Sequence, residues 1–223
     1  MPHRCVDCLK ITGAEMSLCA ECWNNYVFIE EPWCDVCGRP FEIEIDSLCL
    51  SCIKKHPPYD RSRSIFKFND KSRLLIHSFK YHDKTYLAKF FANLLFSKYK
   101  SFIDEADVIT CVPMHYLKRL FRMYNQSHLI AKEVANLSKK EFAYSALRKT
   151  RYTKSQTFLS KTARKENLKN SFICSNPDKI FGKKVILIDD VETTGETVKL
   201  CSSILKKAGA KSVVVLSVVK NYR

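Results

Sequence analysis

The chain is 223 residues long, 46% hydrophobic, and carries 38 Lys and Arg against 23 Asp and Glu, a net charge of +15. That length has room for one full domain and one small one. There is no 18-residue apolar run, which excludes a membrane-spanning helix. Met1–Cys5 runs into a cysteine-rich stretch with no apolar signal-peptide core, so the expected compartment is the cytoplasm.

Eight of the eleven cysteines lie in the first 52 residues, as four Cys-x-x-Cys pairs: Cys5/Cys8, Cys19/Cys22, Cys34/Cys37 and Cys49/Cys52. A Cys-x-x-Cys turn aims two thiolates at one tetrahedral ion, and a second turn completes the shell. Four pairs therefore predict two four-cysteine zinc sites. Sequential pairing is the simplest arrangement, and an interleaved one is open from spacing alone. The alternatives are disulfides, which suit an oxidising compartment, and redox chemistry, which needs one dithiol and not four. A closed all-cysteine shell has no open position, so zinc here is structural, and a segment this short has too little core to fold without it.

Lys54-Lys-His-Pro-Pro58 marks a boundary, giving a zinc-ribbon module over 1–58 and a second domain over 59–223. In the second domain, alternation predicts a strand over 64–68, and periodicity predicts helices over 72–79 and 86–99. A buried-type strand over 107–112 ends at Pro113, and a helix follows over 127–137. The strand 185–188, an amphipathic helix that stops at Gly209, and a last strand over 213–219 complete the pattern. Strands alternating with helices predict an α/β fold with a parallel sheet.

The segment 185–197, Val-Ile-Leu-Ile-Asp-Asp-Val-Glu-Thr-Thr-Gly-Glu-Thr, carries the chemistry. A strand delivers Asp189 and Asp190. A Thr/Gly loop then opens a helix whose free N–H groups suit phosphate. The string resembles the phosphoribosyl-pyrophosphate (PRPP) motif of type I phosphoribosyltransferases. The resemblance implies that Asp189 and Asp190 hold the ribose hydroxyls beside the cationic transition state, and that Thr193, Thr194, Gly195, Glu196 and Thr197 hold the 5′-phosphate. Mg²⁺ would ride on the pyrophosphate. Glu192 departs from the motif, which is usually apolar there.

Further segments resemble the ComF family, which includes the ComFC and GntX types: Lys80, Pro113, Arg119, Arg122, Asn125, Gln126, Arg148, Arg151, Thr153, Gln156, Arg164 and Asn167 match its pattern. Met123-Tyr124 stands where the family has Gly-Phe. The resemblance implies a type I phosphoribosyltransferase-like parallel sheet flanked by helices, preceded by a small double zinc ribbon. Lys80, Arg119 and Arg122 fall to the pyrophosphate side of the PRPP site, with Arg148 and Arg151 as further candidates because Arg forks bind phosphate bidentately.

Charge is divided unevenly. Residues 1–60 carry 5 basic and 10 acidic side chains, a net of −5, and the remainder carry +20. The zinc half repels phosphate and the α/β half attracts it. Residues 139–169 hold 10 basic and 2 acidic side chains with Tyr144, Tyr152 and Phe158 interleaved, a composition suited to single-stranded nucleic acid. Arg148, Arg151, Lys154 and Arg164 are the candidate DNA contacts. The expected function, from the resemblance, is the handling of single-stranded DNA during natural transformation, with a ComFA-type helicase as partner. A genuine phosphoribosyltransferase acting on an unknown acceptor is the alternative, and a PRPP-sensing regulator is a third reading.

Overall fold

The computed structural model describes residues 2–43, 48–115, 123–150 and 171–222. The four expected strands and a fifth that was not expected, β3 (Glu141–Phe142), form one five-stranded, all-parallel sheet with β1 (Arg61–Lys67), β2 (Val108–Cys111), β6 (Lys184–Glu192) and β7 (Ser212–Lys220), in the order β1-β7-β6-β2-β3. A small antiparallel hairpin, β4 (Leu147–Lys149) with β5 (Phe172–Cys174), lies outside it. Short strands like β3, β4 and β5 give too few alternations to read from sequence.

Parallel strands are buried on both faces, and β6 shows it in consecutive residues. Ile186 and Ile188 join a core with α3 (Asp70–Tyr81), α4 (Leu87–Lys98) and α6 (Gln126–Ser138). Val185 and Leu187 join the opposite core with α7 (Glu196–Lys207) and the hairpin. Three α-helices among the described residues escaped prediction: the short α1 (Ala20–Asn25) and α2 (Leu50–Lys54) of the ribbon module, and α5 (Lys100–Glu105), which follows α4 almost directly. β6 runs further than its apolar stretch, through Asp189 and Asp190 to Glu192, because its ladder with β7 continues to the pair Glu192–Lys220. The two aspartates are thus the strand's own residues and not the start of a loop.

The ribbon module is built on the sheet and does not hang from a linker. β1 is an edge strand, and an open edge invites pairing with another chain. Here the ribbon covers it: Ile29 N donates to Ile65 O, Lys67 N to Val27 O and Ser62 N to Val36 O (2.8, 2.8 and 2.7 Å). Phe28 packs on Phe66 with ring centres 4.9 Å apart. The first cysteine set extends one core, through Cys5, Val6, Cys22 and Tyr26, and the second set extends the other, through Cys34, Val36, Cys49 and Cys52. Buried Arg63 reaches back from β1, donating to Cys34 O (3.4 Å) with its guanidinium 5.0 Å from the Trp33 ring centre.

No helix among the described residues is long and apolar enough to cross a membrane.

Candidate functional site

The order of strands decides where a ligand can enter. β2 leads through α6 to β3 on one side, while β6 leads through α7 to β7 on the other. The chain therefore departs in opposite directions from two neighbouring strands, and the crevice outside their carboxyl ends is where open α/β sheets bind ligands. Two helices begin there, α6 at Gln126 and α7 at Glu196, so two sets of free N–H groups converge. Both have twelve or more residues.

A crevice of about 140 Å³ lies at this point, lined among others by Lys80, Gln126, Ser127, Lys149, Asp189, Asp190 and Thr197. Asp189 is 6% exposed, and its Oδ1 accepts from Ser127 Oγ (3.0 Å) at the start of α6. Burial pushes its carboxyl well above the ordinary carboxylate range, and the charges of Asp190 and Glu192 add to the shift, against the smaller opposing effects of Ser127 and Lys80. Asp190 pairs with Lys80 Nζ of α3 at 2.7 Å, both side chains largely buried, and its Oδ1 accepts from Val191 N (2.8 Å). Gly195 caps α7 with φ +71°, a conformation that glycine adopts freely. Glu196 is held by Lys199 at 3.1 Å. Thr193 is exposed, and Thr194 and Thr197 are half-buried.

Gln126 is the side chain that most calls for a ligand. It is 1% exposed, and neither its amide nitrogen nor its amide oxygen has a hydrogen-bond partner among the described residues. A buried amide without partners costs free energy that a bound polar molecule recovers. Sequence alone matched Gln126 to a family pattern but gave it no role. Ser127 and Lys149 were missed; the one signal was position, directly after Gln126 and Arg148.

Next to the crevice is a larger cavity of about 550 Å³, sharing Pro113, Met114, Asn125 and Lys149 with it and lined also by Tyr124, His128, Tyr144 and Arg148. Arg148 is exposed and sits on β4, and Tyr144 is 49% exposed. Met123 stands at φ +61°, so the left-handed turn that a glycine would favour is kept. Tyr124 fixes it by donating to Phe79 O (2.7 Å). The candidates Arg119, Arg122, Arg151, Thr153, Lys154, Gln156, Arg164 and Asn167, with Tyr152 and Phe158, lie outside the described residues.

The cysteines gather as two sets, Cys5, Cys8, Cys19 and Cys22, and Cys34, Cys37, Cys49 and Cys52, the ligand atoms of each within 4.8 Å of one another. The pairing is sequential, which spacing left open. Burial raises the Cys5 and Cys34 thiols, but backbone N–H donors in their knuckles outweigh it and bring both to about 7. One thiol of each tetrad is thus disposed toward the anion while burial raises Cys22, Cys37 and Cys52, and it is the closed four-sulfur shell that fits a divalent soft metal. These are the metal-capable groups among the described residues, so Asp189 and Asp190 do not form a ready metal site.

Family models agree with this geometry. A double zinc ribbon domain matches residues 1–58, and a phosphoribosyl transferase domain matches residues 123–222. The alignments with curated relatives span both halves of this chain. Competence protein F of Haemophilus influenzae is 26% identical over 95% of this chain and 94% of its own. The chain is a homologue of the ComF-type proteins. Competence protein ComFC of Streptococcus pneumoniae is 25% identical over 95% of this chain and 91% of its own. DNA utilization protein YhgH of Escherichia coli K12 is 28% identical over 95% and 87%. Among solved structures, the allosteric regulatory enzyme of purine biosynthesis aligns with 60% of this chain and 26% of its own at 24% identity. Its TM-score of 0.43 is too low to argue from. The ComF-type homologues and the two domain matches together make this a phosphoribosyltransferase-fold protein with an N-terminal double zinc ribbon.

Proposed function

We propose that this ComF-type chain handles single-stranded DNA in the cytoplasm during natural transformation and that its crevice binds PRPP with Mg²⁺. The observation that carries the ligand reading is the unpartnered, buried amide of Gln126 facing a crevice with two aspartates and two helix N-termini. In this reading Asp190 accepts from ribose hydroxyls, with Asp189 doing so once ionised. The 193–197 loop holds the 5′-phosphate on its N–H groups, and Lys80 faces the pyrophosphate with Arg119 and Arg122. Mg²⁺ arrives on the pyrophosphate, since it prefers phosphate oxygens and retained waters to a preformed protein cage. When bound it neutralises the leaving pyrophosphate. The structural metal of the cysteine sets is zinc, two ions per chain.

The DNA reading is supported by the names of the relatives and by the charge division, −5 against +20. Arg148, Arg151, Lys154 and Arg164 supply phosphate contacts, and a ComFA-type helicase is the protein partner. The 550 Å³ cavity beside the crevice favours a second reading, in which a planar acceptor sits there and the ribosyl group is transferred to it.

Calorimetry of the full chain with PRPP and Mg²⁺ tests the ligand. Asp190→Ala removes a charge-assisted hydrogen bond of roughly 1.5–3 kcal/mol, so binding should weaken at least tenfold. No heat at millimolar PRPP with Mg²⁺ rules the ligand out. For DNA, Arg148→Ala with Arg151→Ala should weaken binding equally for all sequences and reduce the salt slope by about 2. An unchanged slope places the DNA contacts elsewhere.

A further inference from the structure

Glu192 is the motif position that the reading above leaves without a task. It is the last residue of β6, one step before the Thr193–Gly195 loop, and is 2% exposed. A carboxylate so placed costs several kcal/mol unless it is paired and hydrogen-bonded. Here it is both. Oε1 accepts from Ser62 Oγ of β1 (3.0 Å) and Ser217 Oγ of β7 (2.9 Å), and Oε2 lies 2.9 Å from Lys220 Nζ at the end of β7. The same ammonium donates to Ser62 Oγ (2.8 Å) and to Cys37 O (2.9 Å). The ammonium thus spends hydrogen bonds on Ser62 Oγ and Cys37 O, and its contact with Glu192 Oε2 is an ion pair. One of these three partners belongs to the Cys34–Cys37 knuckle.

The knuckle is held against that network from two more directions. Ser62 N donates to Val36 O (2.7 Å), and Tyr222 donates to Gly38 O (2.6 Å). Gly38 stands at φ +68°, and a Cβ there would lie 2.5 Å from Ser62 O, so the two backbones are as close as they can come. On the other side, Glu192 Oε2 is 3.9 Å from where a Cβ on Gly195 would sit, so the carboxylate lies beneath the turn that opens α7.

We propose that Glu192 is a positioning residue for the 193–197 loop, and that through Lys220 it ties the loop's geometry to the folded Cys34–Cys37 knuckle and hence to the metal which the four cysteines of the second set hold. If the metal leaves, the knuckle opens and Cys37 O is withdrawn. Lys220 then carries an unsatisfied proton in a buried place, and the pair with Glu192 loosens where the loop needs it rigid. Linkage makes the effect reciprocal: loosening Glu192 must also weaken retention of that metal. This inference goes beyond PRPP binding and holds for any anion at the loop.

Hydrogen exchange on the zinc-loaded full chain tests it without any ligand. In Glu192→Gln, amides over 193–199 should exchange about tenfold faster, as befits a typical coupling energy. One of the two metals should also pass to a chelating dye faster, while the other keeps its rate. Cys49→Ser with Cys52→Ser removes the second site and should speed the same amides. Adding that pair to Glu192→Leu with Lys220→Met should speed them no further. Wild-type exchange over 193–199 when the second site is gone and residues 34–41 exchange freely would overturn the proposal. So would an equal increment in both backgrounds. If the cysteine variant loses cooperative thermal unfolding, Glu192→Gln decides alone, and unchanged exchange with unchanged metal release sinks the idea.

Discussion

Replacing Lys80 by Met removes the ammonium that pairs with Asp190 and keeps the length of its stem. The pair spans 2.7 Å, with side chains 20% and 14% exposed. A fully buried pair broken from one side costs about 3–5 kcal/mol, and an exposed pair is worth about 0–1 kcal/mol. The small residual exposure puts this one at about 2–3 kcal/mol, or roughly 5–10 °C in Tm for a chain of this size. The cost should also depend on pH with a defined sign. Without Lys80, the Asp189 carboxyl, already raised by burial and by the Asp190 charge, loses one of the groups that lower it, so it holds its proton more tightly folded than unfolded. Stability then falls as pH rises from the ordinary carboxylate range through its raised folded value. Urea unfolding at pH 8 and pH 5 should show the larger loss at pH 8, in the midpoint and not in the slope. Lys89→Met is the control, since Lys89 and Glu15 are 53% and 63% exposed and 3.8 Å apart; it should cost under about 0.5 kcal/mol. If Lys80→Met costs no more than this control, or the same at both pH values, the electrostatic account of the crevice is wrong.

Asp189→Asn should raise the melting temperature, and more at pH 8 than at pH 5, because burial raises the Asp189 pKa and the amide cannot ionise. The Asn oxygen keeps the hydrogen bond from Ser127, so a lower melting temperature at pH 8 would contradict this. Gly38→Ala should cost well over about 2 kcal/mol, since a left-handed alanine loses about 1–2 kcal/mol and here also meets a backbone oxygen. Gly182→Ala, at φ +72° with nothing within 4 Å, should cost only the first part, and equal losses in thermal melts would refute the close approach of knuckle and sheet. Native mass spectrometry of protein prepared without chelator should find two zinc ions per chain, and Cys8→Ser should lose one of them together with stability. Disulfides in freshly lysed protein would refute the metal reading.

What the sequence made legible follows from how far each signal reaches along the chain. The strands 107–112, 185–188 and 213–219 were readable because parallel strands bury both faces and so announce themselves as apolar runs, and 64–68 was readable from its alternation. The end of β6 was not, because Asp189, Asp190 and Glu192 break the apolar run while the backbone ladder with β7 carries on. The paired cysteines predicted two tetrads, but which knuckle faces which depends on contacts 11–15 residues away, and the four pairs are chemically alike. The PRPP-like string gave the acids and the loop. It could not show that Lys80, over a hundred residues earlier, pairs with Asp190, or that Lys220 and Ser62 absorb Glu192. Nor could charge counting show that the acidic ribbon is docked on the basic domain, so that cutting the chain near residue 58 would bare Phe66 and the β1 edge.

The three acids at the end of β6 show why that docking bears on chemistry. Within four residues of one strand they would repel any anion and one another, and the fold treats each differently. Asp190 is matched by Lys80 from α3. Glu192 is matched by Lys220 from β7, with the second ribbon holding that lysine in place. Asp189 accepts from the Ser127 hydroxyl and the Asp190 N–H, each at 3.0 Å, and its acidity is suppressed. With two of the acids neutralised by fixed cations and the third tending to hold its proton, the crevice can take a phosphorylated ligand without a bare negative wall behind it. Asp189 is the one of the three acids with no cation paired to it among the described residues. A ligand that brings hydroxyls and a cation to it favours the carboxylate, so the group poised to answer binding is the one the fold leaves uncompensated.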